Sequence, residues 1–311
     1  MLDVKRMRVL REVAARGSFS AAAEALSYTQ SAISQQVAAL EREAGAQLVE
    51  RTARGVRLTE AGRILVGHAD AILARLADAE AELEALAGLR AGRVRVASFP
   101  SAGATVMPKA IGCFRERHPG VEVALVPAEP EDGIALLRSG EVDLVLTIEP
   151  TFQPQCHDGL DRTHLLDDPM YVVLPVGHPL AHKPDLALEE LADDPWILGS
   201  TTHCPDTSIF LRACQIAGFE PRITFHSDDY SAIQGFVAAG VGVSLIPDLA
   251  LVTVRDDIAI RSLGPRPPVR RIMAATLAGS WSSAARQAML DILVEVGAAF
   301  TASRRELAVA S

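Results

Sequence analysis

The chain contains 311 residues, of which 49% are hydrophobic and 22% are charged. This length and composition exclude wholesale disorder and allow about two folded domains. The net charge is −9, but residues 1–57 carry nine basic and six acidic side chains, so a basic N-terminal region precedes an acidic remainder. Such a division is a weak indication of nucleic-acid binding.

Cysteine usage and the distribution of apolar residues narrow the class of protein further. The chain has four cysteines and no CxxC pair, which argues against a disulfide scaffold and against a zinc site of the usual spacing. The first eleven residues lack the apolar run of a secretory signal, and the longest uncharged stretch, residues 230–247, contains three glycines. We therefore expect a cytoplasmic protein with no membrane span, no metal and no cofactor.

Residues 1–58 show the pattern of short helices. Ser18 is a suitable N-cap for one helix, and Thr29 or Ser31 can cap the next after a short break. The second helix carries an apolar stripe at helical spacing: Ile33, Val37, Leu40 and Ala44. Gly45 stands where a helix C-cap belongs. Two helices joined by a three-residue turn predict a helix-turn-helix.

The polar face of this second helix is the candidate surface for reading DNA. Short polar and amide side chains at a helix N-terminus can reach base edges in the major groove, and glutamine can pair with adenine. The candidate residues are Thr29, Gln30, Ser31, Ser34 and Gln35. The alternative is a small helical bundle whose polar face is only solvated.

Residues 48–58 predict two short strands around a glycine-containing turn. Three arginines lie in this hairpin, and Arg51 and Arg54 are the candidates for contacts with backbone phosphates or the minor groove. A solvated surface hairpin has no need of so many arginines in so short a segment. The predicted wing therefore favours DNA binding over the solvated bundle.

Residues 59–90 predict one long helix with two rows of apolar or small residues at heptad spacing. One row is Leu58, Leu65, Ile72, Ala79 and Leu86, and the other is Gly62, Ala69, Leu76 and Leu83. This spacing is typical of a coiled-coil seam. We expect it to join two chains and to present two DNA-binding regions to a palindromic site. The alternative is a helix that packs on its own domain.

Residues 91–305 alternate short apolar strands with helices, which predicts an α/β domain with parallel sheets and crossover helices. The predicted strands are Val94–Ser98, Val121–Val126, Val142–Ile148, Tyr171–Pro175, Trp196–Leu198, Ile223–His226, Val243–Ile246 and Ile272–Leu277. We place lobe one at 93–165 and 268–305 and lobe two at 166–267. A cleft between two such lobes is a favoured ligand site.

The ends of the predicted strands supply candidate ligand contacts in this cleft. The candidates are Ser98, Phe99, Pro100 and Ser101 in lobe one, Thr147 at the end of another strand of that lobe, and Thr201, Thr202 and His203 across the cleft. Ser101 and the amides after it could hold an anionic effector at a helix N-terminus. No arginine clamp for such an anion is evident among these residues.

Residues 1–90 closely resemble LysR-type transcriptional regulators. The resemblance rests on an ordered set of segments: Phe19–Ala23, Gln30–Val37, Leu40–Glu41, Gly45, Leu48–Arg51 and Leu58–Gly62. It continues more loosely along the rest of the chain. Two positions depart from the family pattern, because Ser31 stands where proline is usual and Gln35 where arginine is frequent. These departures concern base preference and affinity, not the mode of binding.

The resemblance implies an all-α winged helix-turn-helix at 1–58, a linker helix at 59–90, and at 91–305 a two-lobed α/β effector domain similar to periplasmic binding proteins. It implies a sequence-specific transcription regulator without enzymatic activity. Such a regulator binds double-stranded promoter DNA as a homodimer or homotetramer and responds to a small-molecule effector in the cleft. The positions that commonly line the effector site in the family match Ser101, Thr147, Thr202 and His203.

A peroxide-sensing branch of the same family suggests a redox alternative. In that branch a reactive cysteine beside a histidine forms a disulfide with a second cysteine. The pair His203-Cys204, followed by Cys214, resembles this arrangement with a spacing one residue longer. A thiol beside a protonated histidine and a helix N-terminus is more reactive. A loop cysteine and a helix-packing cysteine are the simpler interpretation.

An α/β enzyme with a helical appendage is the rival from another class. The sequence contains no GxSxG, HExxH or P-loop motif, and its eight histidines are scattered. A binding protein for transport is disfavoured by the N-terminal helical region and the missing secretory signal. A ligand-responsive regulator is therefore the prediction.

Overall fold

The computed structural model describes the chain except for residues 53–54, 87–91, 152–158, 200–204, 265, 280–282 and 311 and some side chains within helices and strands. The chain forms two compact units. The N-terminal unit comprises Met1–Leu89 with Arg138–Glu141, and the C-terminal unit comprises Arg90–Leu137 with Val142–Ser311. Within the described residues, no helix combines the length and apolar character needed to cross a membrane.

The described part of the N-terminal unit contains four helices and a hairpin. Its elements are α1 (Val4–Arg16), α2 (Phe19–Leu26), α3 (Gln30–Ala44), β1 (Val49–Thr52), β2 (Gly55–Leu58) and α4 (Glu60–Leu86). The predicted caps form: Ser18 Oγ accepts the N–H of Ala21, and Thr29 Oγ1 accepts the N–H of Ala32 at 3.2 Å. Gly45, with φ 66°, ends α3 in the left-handed conformation that favours glycine.

The apolar core of the N-terminal unit lies between α1, α2 and α3. Ile33, Val37 and Leu40 of the predicted stripe are buried in one cluster with Leu10 of α1. Ala44 is exposed, so the buried stripe ends at Leu40 and the prediction was wrong for the last turn of α3. The cluster gives α3 one buried face, and Gln30, Ser31 and Gln35 on the opposite face are exposed.

The start of α4 is tied to the hairpin by close backbone packing. Thr59 Oγ1 donates to the carbonyl oxygen of Gln47 at 2.7 Å and accepts the N–H of Gly62 at 3.0 Å. A Cβ atom at Gly62 would lie 2.1 Å from the carbonyl oxygen of Leu48. Because no side chain fits in that distance, glycine is required where the helix leaves the hairpin.

The long helix α4 changes its environment along its length. Leu65 and Ala69 are buried in the core cluster of the N-terminal unit. Ile72, Leu76 and Leu83, which belong to the same predicted rows, are exposed. The predicted seam is therefore divided: its first part packs on its own unit, and its second part presents apolar side chains at the surface.

The C-terminal unit contains the α/β part of the chain. Its helices are α5 (Pro100–Ala104), α6 (Val106–Arg117), α7 (Pro130–Arg138), α8 (Pro205–Ile216), α9 (Tyr230–Ala238) and α10 (Ala284–Ala310). Its strands are β3 (Arg93–Ser98), β4 (Glu122–Pro127), β5 (Leu144–Pro150), β6 (Leu160–Pro175), β7 (Pro195–Leu198), β8 (Arg222–His226), β9 (Ser244–Pro247), β10 (Ile258–Arg261) and β11 (Val269–Leu277).

The principal sheet is mixed and not purely parallel. Its strand order is β10-β6-β11-β5-β3-β4, with β9 also paired to β6. Strands β3, β4 and β5 are parallel, as predicted, and so are β7 and β8. The pairings of β6 and β11 are antiparallel, which corrects the expectation of parallel sheets throughout. The α/β class itself is confirmed.

Strand β6 connects the two lobes. Residues 160–169 pair with β11 in lobe one, and residues 170–175 pair with β9 and β10 in lobe two. The predicted strand at 171–175 is thus only the second part of β6. Phe114 and Leu293 belong to the core of lobe one, and Trp196 belongs to that of lobe two. The lobes therefore have separate cores joined by continuous strands.

Candidate DNA-contact face and interlobe cavity

The N-terminal end of α3 presents a polar face opposite its buried stripe. Gln30, Ser31 and Gln35 are exposed, and Ser34 is half-buried. Thr29 accepts the helix-capping hydrogen bond, and its Oγ1 lies 3.0 Å from Ser31 Oγ. The five predicted residues thus lie at one end of one helix, and Thr29 has a clear structural role there.

The turn before this face is compact. Ser27 ends α2 with φ 56°, the one left-handed residue other than glycine among the described residues. Tyr28 follows with 59% of its side-chain surface exposed, and α3 begins two residues later. This three-residue connection, with both helices in one core, makes α2 and α3 a helix-turn-helix.

The hairpin after α3 forms in antiparallel register, as predicted. Arg57 of β2 is exposed and is paired in register with Glu50 of β1. The side chain of Arg51 and the whole of Arg54 lie outside the described residues. Their contacts with DNA therefore stay a prediction.

A cavity of about 140 Å³ lies between the two lobes of the C-terminal unit. Side chains from both lobes line it. Polar side chains gather around Arg270, and this part is called the polar end of the cavity. Its described lining includes Phe99, Ser101, Glu129, Ile148, Asp206, Phe210, Asp228, Tyr230 and Arg270. A concave, mainly apolar site with a few convergent polar groups is the usual form of a small-molecule pocket.

Arg270 of β11 is the centre of the polar end and is 1% exposed. Its Nε donates to Asp168 Oδ2 at 2.7 Å, its Nη1 to Asp206 Oδ2 at 2.9 Å and its Nη2 to Ser101 Oγ at 2.7 Å. The guanidinium carbon lies 5.4 Å from the centre of the Phe99 ring, within the range of a cation–π contact. Because Ser101 belongs to lobe one and Asp206 to lobe two, Arg270 joins the lobes across the cavity.

Burial and neighbouring charges have opposite effects on the pKa values of Asp168 and Arg270. Burial raises the pKa of Asp168 to about 6, because desolvation outweighs the attraction of Arg270 and the hydrogen bond from the N–H of Leu249. Burial lowers the pKa of Arg270, but Asp206 and Asp168 outweigh that effect and hold its pKa above the ordinary value. The guanidinium therefore stays charged, and the two carboxylates compete to neutralise it.

Further carboxylates surround the same polar end. Glu129 and Asp228 line the cavity, and Tyr230 donates its phenolic O–H to Asp206 Oδ2. Partial burial raises the pKa of Glu129, and the charges of Asp206 and Asp228 raise it further. The cavity thus concentrates negative charge around a single guanidinium, that of Arg270.

The predicted cleft residues of lobe one fall in three places. Phe99, Pro100 and Ser101 line the cavity. Ser98 is buried next to them and donates its hydroxyl to the carbonyl oxygen of Phe99, so it does not line the cavity. Thr147 lines a separate cavity of about 10 Å³, where its buried hydroxyl has no hydrogen-bond partner within the described part of the chain.

The predicted residues of lobe two are placed less completely. Thr201, Thr202, His203 and Cys204 lie outside the described residues. Cys214 is fully buried in α8, and burial raises the pKa of its thiol to about 12. A thiol with such a pKa is almost entirely protonated at neutral pH and is a poor nucleophile.

The sequence interpretation missed Arg270 together with its partners Asp168 and Asp206. One signal for it was present, because Arg270 alternates with Ile272 and Ala274 on the buried face of β11. A basic side chain at an inward position of an alternating strand requires a buried partner. The sequence pattern could not identify the partner, because Asp168 lies 102 residues away along the chain.

Comparison with known families identifies both parts of the chain. Residues 4–63 match the model of the bacterial regulatory helix-turn-helix protein, lysR family, and residues 87–298 match that of the LysR substrate binding domain. The fold and its two sites define a DNA-binding regulator with a separate effector-binding domain. The chain belongs to the LysR family of transcriptional regulators.

Individual relatives resemble nearly the whole chain. The probable HTH-type transcriptional regulator LrrA of Synechococcus elongatus is 32% identical over 293 residues, which cover 94% of this chain and 96% of the relative. A probable hydrogen peroxide-inducible genes activator of Mycobacterium avium is 34% identical over 274 residues, which cover 86% of this chain and 85% of the relative. Full-length OxyR from Pseudomonas aeruginosa has the same fold, with a TM-score of 0.72, 24% identity and coverage of 96% and 95%.

Proposed function

We propose that a small molecule bound in the interlobe cavity controls the binding of this regulator to its operator. The observation that supports the proposal is the position of Arg270, which contacts Ser101 in one lobe and Asp206 in the other at the wall of the cavity. A ligand that competes for these groups or adds to them favours one arrangement of the lobes. The regulator acts in the cytoplasm and has no catalytic role in this proposal.

The mechanism is a shift in population between lobe arrangements. An effector changes the balance only to the extent that it binds one arrangement more tightly than the other. Hydrogen bonds that cross the cavity supply that difference, because they exist in the arrangement seen here and are altered when the lobes move apart. By reciprocity, operator DNA must change the affinity for effector by the same factor.

On the DNA side, we propose that Gln30, Ser31, Ser34 and Gln35 read base edges in the major groove. Thr29 caps the helix and positions these residues. The exposure of three of the four, opposite the buried residues Ile33, Val37 and Leu40, supports this division. Arg51 and Arg54 are proposed to contact the backbone or the minor groove.

We further propose that the exposed residues Ile72, Leu76 and Leu83 of α4 pair with the same residues of a second chain. Ile72 belongs to one of the two predicted heptad rows and Leu76 and Leu83 to the other, and exposed apolar side chains in two such rows are typical of a coiled-coil seam. A homodimer, or a tetramer made of two such dimers, then presents two helix-turn-helix units to one duplex.

The DNA part of the proposal is tested by two substitutions that should act differently. Gln30→Ala should reduce the preference for the cognate operator over a mutated one by about 1–3 kcal/mol, because it removes a base contact. Arg54→Ala should weaken binding to every sequence and flatten the dependence of log Kd on log salt by about one. Fluorescence anisotropy with both duplexes at several salt concentrations measures both effects. A base-specific loss from Arg54→Ala would contradict the division of roles.

A thiol-based redox switch is the second candidate function. It is favoured by the similarity to a probable hydrogen peroxide-inducible genes activator. The environment of Cys214 opposes it, because the side chain is fully buried and its pKa is raised to about 12. A disulfide from Cys204 to Cys214 would need α8 to expose a residue of the lobe-two core.

The cysteines allow a direct decision between the two candidates. In the native protein at neutral pH, we expect iodoacetamide to leave Cys214 unmodified and to modify it only after unfolding. Half-buried Cys113 is the internal control in the same peptide map. Mild peroxide should change neither the free-thiol content nor operator binding. Loss of two thiols with a matching change in DNA affinity would establish the redox switch instead.

A further inference from the structure

Negative charge dominates the described lining of the interlobe cavity. Three carboxylates line it, those of Glu129, Asp206 and Asp228, against the one guanidinium of Arg270. Asp168 lies directly behind Arg270 and adds a fourth carboxylate. Residues 200–204, which lie outside the described part, contain no lysine or arginine and one histidine, His203. The net charge at the polar end of the cavity therefore favours a cation over an anion.

Arg270 does not offset this excess for an incoming ligand. Each of its three nitrogens already donates to a protein side chain, at 2.7, 2.9 and 2.7 Å. Two of these partners are carboxylates, so the charge of the guanidinium is already paired within the protein, although Nη1 and Nη2 each keep a second N–H. An anion that displaced either carboxylate would leave it without its counter-ion, which is strongly unfavourable for a buried group.

Asp206 provides an independent indication of a missing donor. Its Oδ2 accepts hydrogen bonds from Arg270 and Tyr230. Its Oδ1 is buried and has no hydrogen-bond partner in the described part of the chain, and the side chain is only 13% exposed. A buried acceptor that lacks a partner carries an uncompensated desolvation cost. An N–H group from a ligand in the cavity would remove that cost.

The size and apolar lining of the cavity define the rest of the ligand. The volume of about 140 Å³ is close to that of an engineered cavity of roughly 150 Å³ known to hold benzene. Phe99, Ile148 and Phe210 supply apolar surface in its lining. A compact hydrocarbon body of about the size of one aromatic ring fits this space.

We propose that the effector is a small organic cation, a primary amine or amidinium on a compact apolar body, whose N–H groups donate to Asp206 and whose charge faces Glu129 and Asp228. This inference rests on the proposal that the cavity is the effector site. It replaces the anionic effector that the sequence suggested. The raised pKa of Glu129, caused by partial burial and by its two acidic neighbours, agrees with an excess of negative charge that a cation relieves.

Three probes of the same shape and different charge test the proposal: benzylamine, benzyl alcohol and benzoate. Isothermal titration calorimetry at neutral pH measures their binding to the full-length chain. We expect benzylamine to bind at least about tenfold more tightly than benzoate, with the alcohol between them. Asp206→Asn should weaken benzylamine by about tenfold, and Glu129→Gln at the rim should weaken it by less. Asp256→Asn, an equal change of charge at an exposed position in the same lobe, is the matched control and should have no effect.

The possible results separate this inference from the proposed function. If benzoate binds as tightly as benzylamine, and Glu129→Gln strengthens benzoate, the cavity is the ligand site but the charge class is wrong. If Asp206→Asn fails to fold, Glu129→Gln alone tests the same electric field. If no probe binds, or if every affinity is indifferent to both substitutions, the cavity is not a ligand site and the proposed function fails with the inference.

Discussion

The polar face of α3 and the polar end of the interlobe cavity hold their side chains in opposite environments. Gln30 and Gln35 are exposed, and the geometry of one helix sets their spacing. Arg270 and Asp168 are fully buried, and they come from two strands that meet only in the folded chain. Single substitutions on the exposed face of α3 should therefore have little effect on stability, whereas substitutions of Arg270 or Asp168 should have a large one.

This difference separates two kinds of specificity. An exposed polar side chain is already hydrated, so replacing it alters recognition of a partner and leaves the free energy of unfolding nearly unchanged. A buried ion pair is desolvated, so removing one member leaves the other as a buried charge without a counter-ion. If α3 reads the operator and the cavity holds the effector, as proposed, operator preference and fold stability are independent at α3, while effector preference and fold stability are coupled at the cavity.

The largest expected effect tests that coupling. Arg270→Met should lower the free energy of unfolding of the C-terminal unit by about 3–5 kcal/mol, because Asp168 would stay buried without its partner. Urea unfolding followed by tryptophan fluorescence measures it, since both tryptophans, Trp196 and Trp281, belong to that unit. Arg255→Met, which removes an exposed ion pair with Asp257, is the control and should change little. If the two variants unfold with equal free energies, the buried ion pair of Arg270 is no more important to stability than an exposed one.

A second test asks whether the N-terminal unit is also sensitive where it is packed. Gly62→Ala should cost about 1–3 kcal/mol, because its Cβ would meet the carbonyl oxygen of Leu48. Gly67→Ala lies in the same helix with open space around it and should instead stabilise by about 0.5–1 kcal/mol. Hydrogen exchange of α3 and α4 measures both variants. If the two alanines have the same effect, the close approach at Gly62 is not a constraint.

The smallest expected effect sharpens the description of the α3 face. Thr29→Ala removes the acceptor for the N–H of Ala32 and should cost about 1 kcal/mol of helix stability. Thr29→Ser keeps the hydroxyl and should restore most of it. Exchange of the amides of the first turn of α3 measures the loss. If Thr29→Ala leaves amide exchange in the first turn of α3 unchanged but lowers the affinity for particular bases, Thr29 contacts DNA instead of stabilising the helix.

The N-terminal unit was largely predictable because its signals are local. Helix caps, the apolar stripe and the turn residues all lie within a few positions of one another, so Ser18, Thr29 and Gly45 were identified from sequence. The predicted burial of Ala44 was wrong, because the periodicity of one helix does not show where the neighbouring helices end. For α4, the packing of the first part on its own unit is confirmed, whereas the pairing of the exposed part with a second chain stays a prediction.

The C-terminal unit was predictable in class but not at its centre. The first part of β6 contains the charged residues Asp161, Arg162 and Asp168, so it lacks the apolar run by which strands are recognised. Strand β10 is only four residues long and follows a charged segment, and it was missed. The network around Arg270 depends on contacts between distant segments. Such pairings are set by tertiary structure and leave no local pattern.

The divided helix α4 also has a mechanical consequence. Leu65 and Ala69 pack its first half into the same apolar cluster as Ile33 and Val37 of α3, so packing couples the two helices. From Ala69 to Leu83 the helix extends roughly 21 Å beyond that cluster. In the proposed dimer α4 would act as a lever arm, because the contacts of Ile72, Leu76 and Leu83 would set the orientation of α3.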